Sequence, residues 1–302
     1  MASTKAVLII GGSGFIGTQL ALKLRDEYKV FTTFLTRYQV IPGVTNIPVD
    51  LNNENWLKRV VYTCNPDVII FAAGNNDMEW AEKSPREAER IHAGGPADVL
   101  TASDILQPKF IYLSNSYTFD GARGNYKESD TLLPNYVLGK AKVAGENFIR
   151  GKSLNYTIVR SSPVYGRGNP KRQTFMDYLR INLDRKKRLE IPNIELQSFA
   201  PVAGLVDMIA KLVSSSPKKG VFHYGGLTRV THYGFAREFA KFFKYDQSLI
   251  VPKTGPNGAV LDKYGEPFYW DFSLNSTHAA LDLKLKPFLL EEGFDLIQKQ
   301  LI

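Results

Sequence analysis

Gly11-Gly12-Ser13-Gly14-Phe15-Ile16-Gly17 follows directly on the apolar run Ala6-Val7-Leu8-Ile9-Ile10 and opens a segment with helical spacing, Ile16, Leu20 and Leu24. The stretch satisfies both Gly-x-Gly-x-x-Gly and Gly-x-x-Gly-x-x-Gly. Glycine at these places permits a tight turn and lets the backbone approach a pyrophosphate closely. The helix that follows turns unpaired N–H groups and a partial positive charge toward the phosphates. A glycine string alone is a weak signal. A strand before it and a helix after it make it a dinucleotide-binding turn. Gly11, Gly14, Phe15, Ile16 and Gly17 are therefore the expected phosphate contacts.

Working outward, strand-like and helix-like patterns alternate. Strands are expected at 5–10, 30–34, 45–49, 67–72, 109–114 and 156–160. Helices are expected at 16–26, 54–63, 85–106 and 136–150, the third interrupted by Gly94-Gly95-Pro96. Strands that are apolar throughout, alternating with helices, imply an α/β fold: a doubly wound parallel sheet covered on both faces. After Gly166 the pattern loosens. Helices are expected at 174–184, 204–214 and 291–301 and a strand at 221–224. Thr231 can cap a helix bearing Phe235, Phe239 and Phe242 on one face. Proline and glycine crowd 251–267, which predicts a long loop. The division is thus a dinucleotide-binding domain at 1–165 and a smaller α/β substrate-binding region at 166–302, interleaved with the first.

Composition narrows the function classes. No apolar run is long enough to span a bilayer. The opening Met1-Ala2-Ser3-Thr4-Lys5 leads straight into the first strand, so a mature start without a secretory signal is expected. Cys64 is the single cysteine, which excludes an internal disulfide and fits a cytoplasmic protein. It reads as a small buried apolar residue. The net charge of +8 raises nucleic acid as a partner. The densest basic run, Arg185-Lys186-Lys187-Arg188 with Lys171-Arg172 upstream, has no nucleic-acid motif beside it and reads as a solvated helix end. Nucleic acid is not the expected partner. Excess positive charge also suits phosphorylated small molecules.

The second strand runs Val30-Phe31-Thr32-Thr33-Phe34 and continues Leu35-Thr36-Arg37. It lacks the carboxylate that an NAD-preferring site uses on the ribose hydroxyls. Thr36 and Arg37 are placed to meet a 2′-phosphate through charge-assisted hydrogen bonds, which favours NADP(H) over NAD(H). Asp50-Leu51 ends the third strand, where an aspartate can bond the adenine amino group. Ala72-Ala73-Gly74 ends the fourth, and its small side chains leave room for the inner ribose.

These features resemble the extended short-chain dehydrogenases, with their Rossmann-type sheet, and within them dTDP-4-dehydrorhamnose reductase. The regulatory β subunit of methionine adenosyltransferase is similar too. The stretch Ser114-Asn115-Ser116-Tyr117-Thr118-Phe119-Asp120-Gly121 resembles Ser-Thr-Asp-Tyr-Val-Phe-Asp-Gly of that family. Asp77-Met78-Glu79-Trp80-Ala81-Glu82, Tyr126-Lys127-Glu128-Ser129-Asp130 and Arg160-Ser161-Ser162-Pro163-Val164-Tyr165-Gly166 are similar to further family segments. Gly139-Lys140-Ala141-Lys142-Val143-Ala144-Gly145-Glu146 looks like the active-site helix. The resemblance implies a nucleotide-linked sugar as ligand and NADPH as hydride source. It also implies a tyrosine as proton donor, a lysine one turn later that lowers its pKa and binds the nicotinamide ribose, and a serine or threonine on the carbonyl oxygen.

The departures fall on those positions. Leu138 stands at the tyrosine position and Asn115 at the Ser/Thr position, while Lys142 is kept. His92 stands where an asparagine is usual. Tyr136 and Lys140 also spell Tyr-x-x-x-Lys, but two residues turn a helix by about 200°. Tyr136 reaches the site of Lys142 only if the register shifts or the first turn unwinds. Candidate catalytic residues are Lys142, Asn115 and Tyr136; candidate substrate contacts are His92, Ser116 and Tyr117. Two outcomes stay open: a reductase with a degraded catalytic set, or an inactive cofactor-binding subunit with a protein partner. A homodimer is compatible with either.

Overall fold

The computed structural model describes residues 4–168, 173–215, 219–253 and 269–299. In chain order its first elements are β1 (Ala6–Ile10), α1 (Phe15–Leu24), β2 (Lys29–Phe34), β3 (Val44–Pro48), α2 (Glu54–Cys64), β4 (Val68–Phe71), α3 (Met78–Lys83) and α4 (Pro85–Glu89). A π-helical turn, Arg90–Gly94, joins α4 to α5 (Gly95–Ala102). Then come β5 (Lys109–Asn115), α6 (Val137–Lys152), β6 (Tyr156–Ser161), β7 (Val164–Tyr165), α7 (Phe175–Asp184), β8 (Leu189–Pro192), β9 (Glu195–Leu196) and β10 (Ala200–Pro201). The chain continues with α8 (Val202–Ser214), β11 (Gly220–Tyr224), α9 (His232–Phe242), β12 (Ile250–Lys253), β13 (Trp270–Asp271), α10 (Thr277–Asp282) and α11 (Leu290–Lys299).

Seven strands form one sheet in the order β11-β6-β5-β4-β1-β2-β3. The order reverses at β1, which pairs in parallel with β2 on one side and β4 on the other. Every residue of β1 and β4 is buried, as the continuous apolar runs require when helices cover both faces. Burying each such aliphatic side chain contributes roughly 1.5–3 kcal/mol. The reversal matters because ligands of doubly wound sheets bind at the carboxyl ends of strands at this switch point.

The chain divides into two compact units. One comprises Met1–Phe119, Thr131–Arg160 and Val206–Phe222; the other comprises Asp120–Asp130, Ser161–Leu205 and His223–Ile302. The second unit is built on aromatic packing. Tyr165, Phe235 and Phe294 meet edge to face with centroids 5.2 to 5.5 Å apart, and Phe239 joins Phe294 at 5.9 Å. Phe235 and Phe239 thus form the predicted apolar face of α9, and Thr231 caps it by accepting from the Gly234 N–H at 3.0 Å. The basic residues 185–188 are exposed past the end of α7. Lys171, Arg172, residues 254–267 of the expected loop and the last two residues of the expected final helix lie outside the described residues. Residues 251–253 belong to β12 rather than to a loop. The two-residue strands β7, β9, β10 and β13 were not foreseen, being too short to show alternation.

One expectation is corrected. Gly94-Gly95-Pro96 does not break the helix; it widens it. The Gly95 N–H donates to the Arg90 carbonyl five residues back, a π-type bond. Pro96 has no N–H to offer His92 four residues earlier, so the helix passes this point with one carbonyl freed. The Tyr112 hydroxyl donates to that His92 carbonyl at 2.7 Å. Gly145 of α6 makes the approach possible, since a Cβ there would sit 2.3 Å from the same oxygen.

Candidate functional site

The turn after β1 is closed by the Gly14 N–H donating to the Gly11 carbonyl at 3.0 Å. Gly11 has φ +88°, and a Cβ on it would lie 2.6 Å from the Ala73 Cα. A Cβ on Gly17 would lie 2.3 Å from the Gly11 carbonyl oxygen. Helix, turn and the end of β4 are thus packed backbone to backbone. The Gly11 N–H donates to the Thr33 hydroxyl at 3.0 Å, and the Thr18 hydroxyl donates to the Gly12 carbonyl at 3.1 Å. Gly14 caps α1 without a side chain, and the first turn of α1 contains no acidic residue. The N–H groups at Phe15 and Ile16 therefore meet no competing carboxylate, which leaves the helix end suited to an anion.

Thr36 and Arg37 follow β2 and are exposed. Asp50 is exposed beyond β3; its carboxylate accepts from the Asn52 N–H at 2.9 Å. Leu51, Ala72, Ala73 and Gly74 are half-buried. Gly74 has φ +131°, and a Cβ there would sit 2.2 Å from the His92 ring.

His92 itself has no exposed surface. Its Nε2 lies 2.9 Å from the Asn75 carbonyl, so that nitrogen carries the proton and donates. Burial, and secondarily the charge of Lys142, push its pKa down to about 3, so it is neutral at pH 7. The expectation of a cleft-facing substrate contact is corrected: His92 is a packing residue, held inside by its bond to the chain after β4.

At the end of β5, Lys142 of α6 is buried and donates to the Leu113 carbonyl at 2.8 Å, with its ammonium 5.0 Å from the Tyr112 ring centre. Burial pulls its pKa down to about 7, opposed by Glu146 one turn on. Glu146 is held in turn by Arg160, whose Nε and Nη2 donate to its two oxygens at 2.9 and 2.6 Å. Asn115 accepts from the Tyr117 N–H at 3.1 Å through its Oδ1. Its Nδ2, the Ser114 hydroxyl and the His92 Nδ1 are buried without a hydrogen bond. Each such atom costs roughly 1–3 kcal/mol unless a ligand or solvent group satisfies it. Ser116 is buried and Tyr117 half-buried.

Leu138 is fully buried in an apolar cluster with Ala81 and Ala88, against which Met78, Trp80, Tyr117 and Val137 pack. Tyr136 lies outside the helix as its N-terminal flanking residue, with its ring edge-on to Tyr117 at 5.7 Å. Lys140, its partner in the alternative Tyr-x-x-x-Lys spelling, is exposed. Lys142 reaches the backbone of Leu113, next to Ser114 and Asn115 in β5, and Tyr136 and Lys140 form no buried dyad. Sequence reasoning missed Thr33, Tyr112, Arg90 and the tie between Glu146 and Arg160. Gly95-Pro96 was the available signal for the freed carbonyl that Tyr112 uses.

The RmlD substrate binding domain family matches residues 5–289 of the chain. A dTDP-4-dehydrorhamnose reductase of Aggregatibacter actinomycetemcomitans is 27% identical over 240 residues, 76% of this chain and 76% of its own length. Methionine adenosyltransferase 2 subunit beta of Bos taurus is 24% identical over 211 residues, 68% of this chain and 63% of its own. The crystal structure of dTDP-4-dehydrorhamnose reductase from Bacillus anthracis in complex with NADP superimposes with a TM-score of 0.82 at 23% identity, covering 99% of both chains, a likeness of fold. No helix among the described residues is long and apolar enough to cross a membrane. A glycine-rich turn after the first strand, a seven-stranded sheet reversing beside it and a match over nearly the whole length lead to one assignment: the chain belongs to the RmlD substrate binding domain family.

Proposed function

We propose that the protein binds NADP(H) and a nucleotide-linked sugar, and that it lacks the phenol-based proton transfer of reductases in its family. The observation that carries this reading is Leu138, wholly buried among Ala81, Ala88 and Trp80 one helical turn before a buried Lys142. Gly11 and Gly17 let the turn pack backbone on backbone at the start of α1, whose N–H groups suit a pyrophosphate; Lys142 has ammonium hydrogens to offer ribose hydroxyls, and the unpartnered Asn115 Nδ2 and Ser114 Oγ suit the amide and ribose end of the cofactor. Arg37 and Thr36 favour a 2′-phosphate. When bound, the cofactor supplies a hydride. The chain's own residues would orient the acceptor carbonyl through the Asn115 amide but offer it no phenol proton. Removing a general acid typically lowers a rate by about 10²–10⁴-fold.

A second reading is a regulatory or structural subunit that holds cofactor for a protein partner. The rebuilt apolar wall around Leu138 favours it over a reductase whose donor has merely moved, because Tyr136 packs on Tyr117 and His92 is sealed inside. The test is direct. NADPH binding is followed by fluorescence, and a panel of 4-keto nucleotide sugars is then added. Binding without NADPH oxidation is the expected result. Rapid turnover abolished by Tyr136→Phe would overturn the reading and make Tyr136 the donor.

A further inference from the structure

The π-helical turn Arg90–Gly94 is used by none of the chemistry above, yet its side chains and backbone reach the chain after β3, the chain after β4 and a tyrosine within β5. Arg90 donates from Nη2 to the Leu51 carbonyl, just past Asp50, and its Nη1 lies 2.7 Å from the Asp98 carboxylate. Gly94 leaves room for that guanidinium, since a Cβ there would lie 2.6 Å from Nη1. His92 donates to the Asn75 carbonyl and packs its ring on Gly74. The residue before Gly74, Ala73, is the one that touches Gly11 of the phosphate turn. The His92 carbonyl, released because Pro96 has no N–H, takes the Tyr112 hydroxyl, and the Tyr112 ring lies under the Lys142 ammonium.

We infer that this π-turn is the device that positions both ends of the dinucleotide site. Arg90 sets the loop after β3 at the adenine end, and His92 sets the loop after β4 together with Tyr112 at the nicotinamide end. Both are positioning residues: each acts on a backbone carbonyl and neither meets the ligand. Any residue but proline at position 96 could offer an N–H to the His92 carbonyl in competition with Tyr112. A backbone held by a charge-assisted bond is pre-organised, so less ordering is left for binding to supply. The inference rests on the proposal that a dinucleotide binds here.

Two probes separate the ends: 2′,5′-ADP, which occupies only the adenine side, and NADPH, whose emission reports the nicotinamide side. Arg90→Met is expected to weaken 2′,5′-ADP and NADPH alike by about tenfold, the loss of one charge-assisted bond, while the emission of bound NADPH stays as in the wild type. His92→Phe is expected to leave 2′,5′-ADP within about twofold, weaken NADPH by about tenfold and abolish its emission change. Arg90→Lys and His92→Gln, which retain a donor, should recover most of each loss and serve if the first pair does not fold. Variants that bind both probes as the wild type does, a His92→Phe variant that loses both probes by one common factor, or an Arg90→Met variant that abolishes the emission change of bound NADPH would overturn the positioning roles. A wild-type protein that binds neither probe removes the dinucleotide reading and this inference together. A binding wild type with unmoved variants removes the inference alone.

Discussion

The turn after β1 and the start of α6 lie in the same compact unit and are built from different parts. At the turn the contacts are backbone on backbone: Gly11 on Ala73, Gly17 on Gly11. At α6 they are side chain on side chain, with Leu138, which the proposed reading sets in place of a tyrosine, inside an apolar cluster. The difference follows from what each place is made of. A site of peptide groups tolerates no added Cβ, so nearly any substitution destroys the packing along with the function. A site of side chains can lose its chemistry and keep its packing, because leucine fills the space around Ala81 and Ala88 as well as a ring would. Binding and proton transfer can thus be lost separately here.

The sharpest way to break this comparison is Leu138→Tyr. If only the phenol is missing, the variant should oxidise NADPH with a 4-keto nucleotide sugar about 10²–10⁴ times faster than the parent. An inactive variant that still binds NADPH would show that Asn115, or the apolar wall itself, also matters. At the other place, Gly11→Val meets both a left-handed φ and the Ala73 backbone. It should cost about 3 kcal/mol of stability or more and abolish detectable NADPH binding, checked by thermal unfolding and fluorescence. A variant as stable as the parent would mean that the turn is looser than its contacts imply.

Smaller effects sharpen the picture. Arg37→Ala should weaken NADP(H) by about tenfold and leave NAD(H) nearly unchanged; equal losses would remove the 2′-phosphate role. The last prediction concerns pH. Lys142 titrates at about 7 in the fold against 10.5 for the free side chain, chiefly because of burial. Between these values the unfolded chain binds more protons than the folded one, so stability should rise with pH across this window and lose that gain as pH falls toward 7. Lys142→Met should flatten the rise in denaturant titrations. An identical slope would show that Lys142 does not carry it.

Periodicity and glycine spacing made the strand–helix order and the phosphate turn readable, because both depend on local rules: alternation of apolar runs, helix spacing, and the absence of a Cβ. Cys64 as a buried apolar residue and Thr231 as a cap were legible for the same reason. That Leu138 and Lys142 share a face of α6 was legible from their one-turn spacing, and both are buried. The π-turn was not. Its freed His92 carbonyl, left without an N–H by Pro96, is taken up by the Tyr112 hydroxyl from a distant strand, which no local pattern reveals. Whether His92 packs inside or meets a ligand was not legible, because position on a helix does not say what covers it.

The amino-acid string alone thus determined the parallel sheet, the glycine turn after β1 and the one-turn spacing of Leu138 and Lys142, since each is a matter of neighbours within a few residues. Tertiary structure alone decided that His92 is sealed and neutral, that Glu146 pairs with Arg160, and that Tyr136 meets Tyr117 edge to face. Those outcomes depend on burial and on partners far apart in the chain. Desolvation and hydrogen bonding act through space, and no spacing rule along the sequence encodes them.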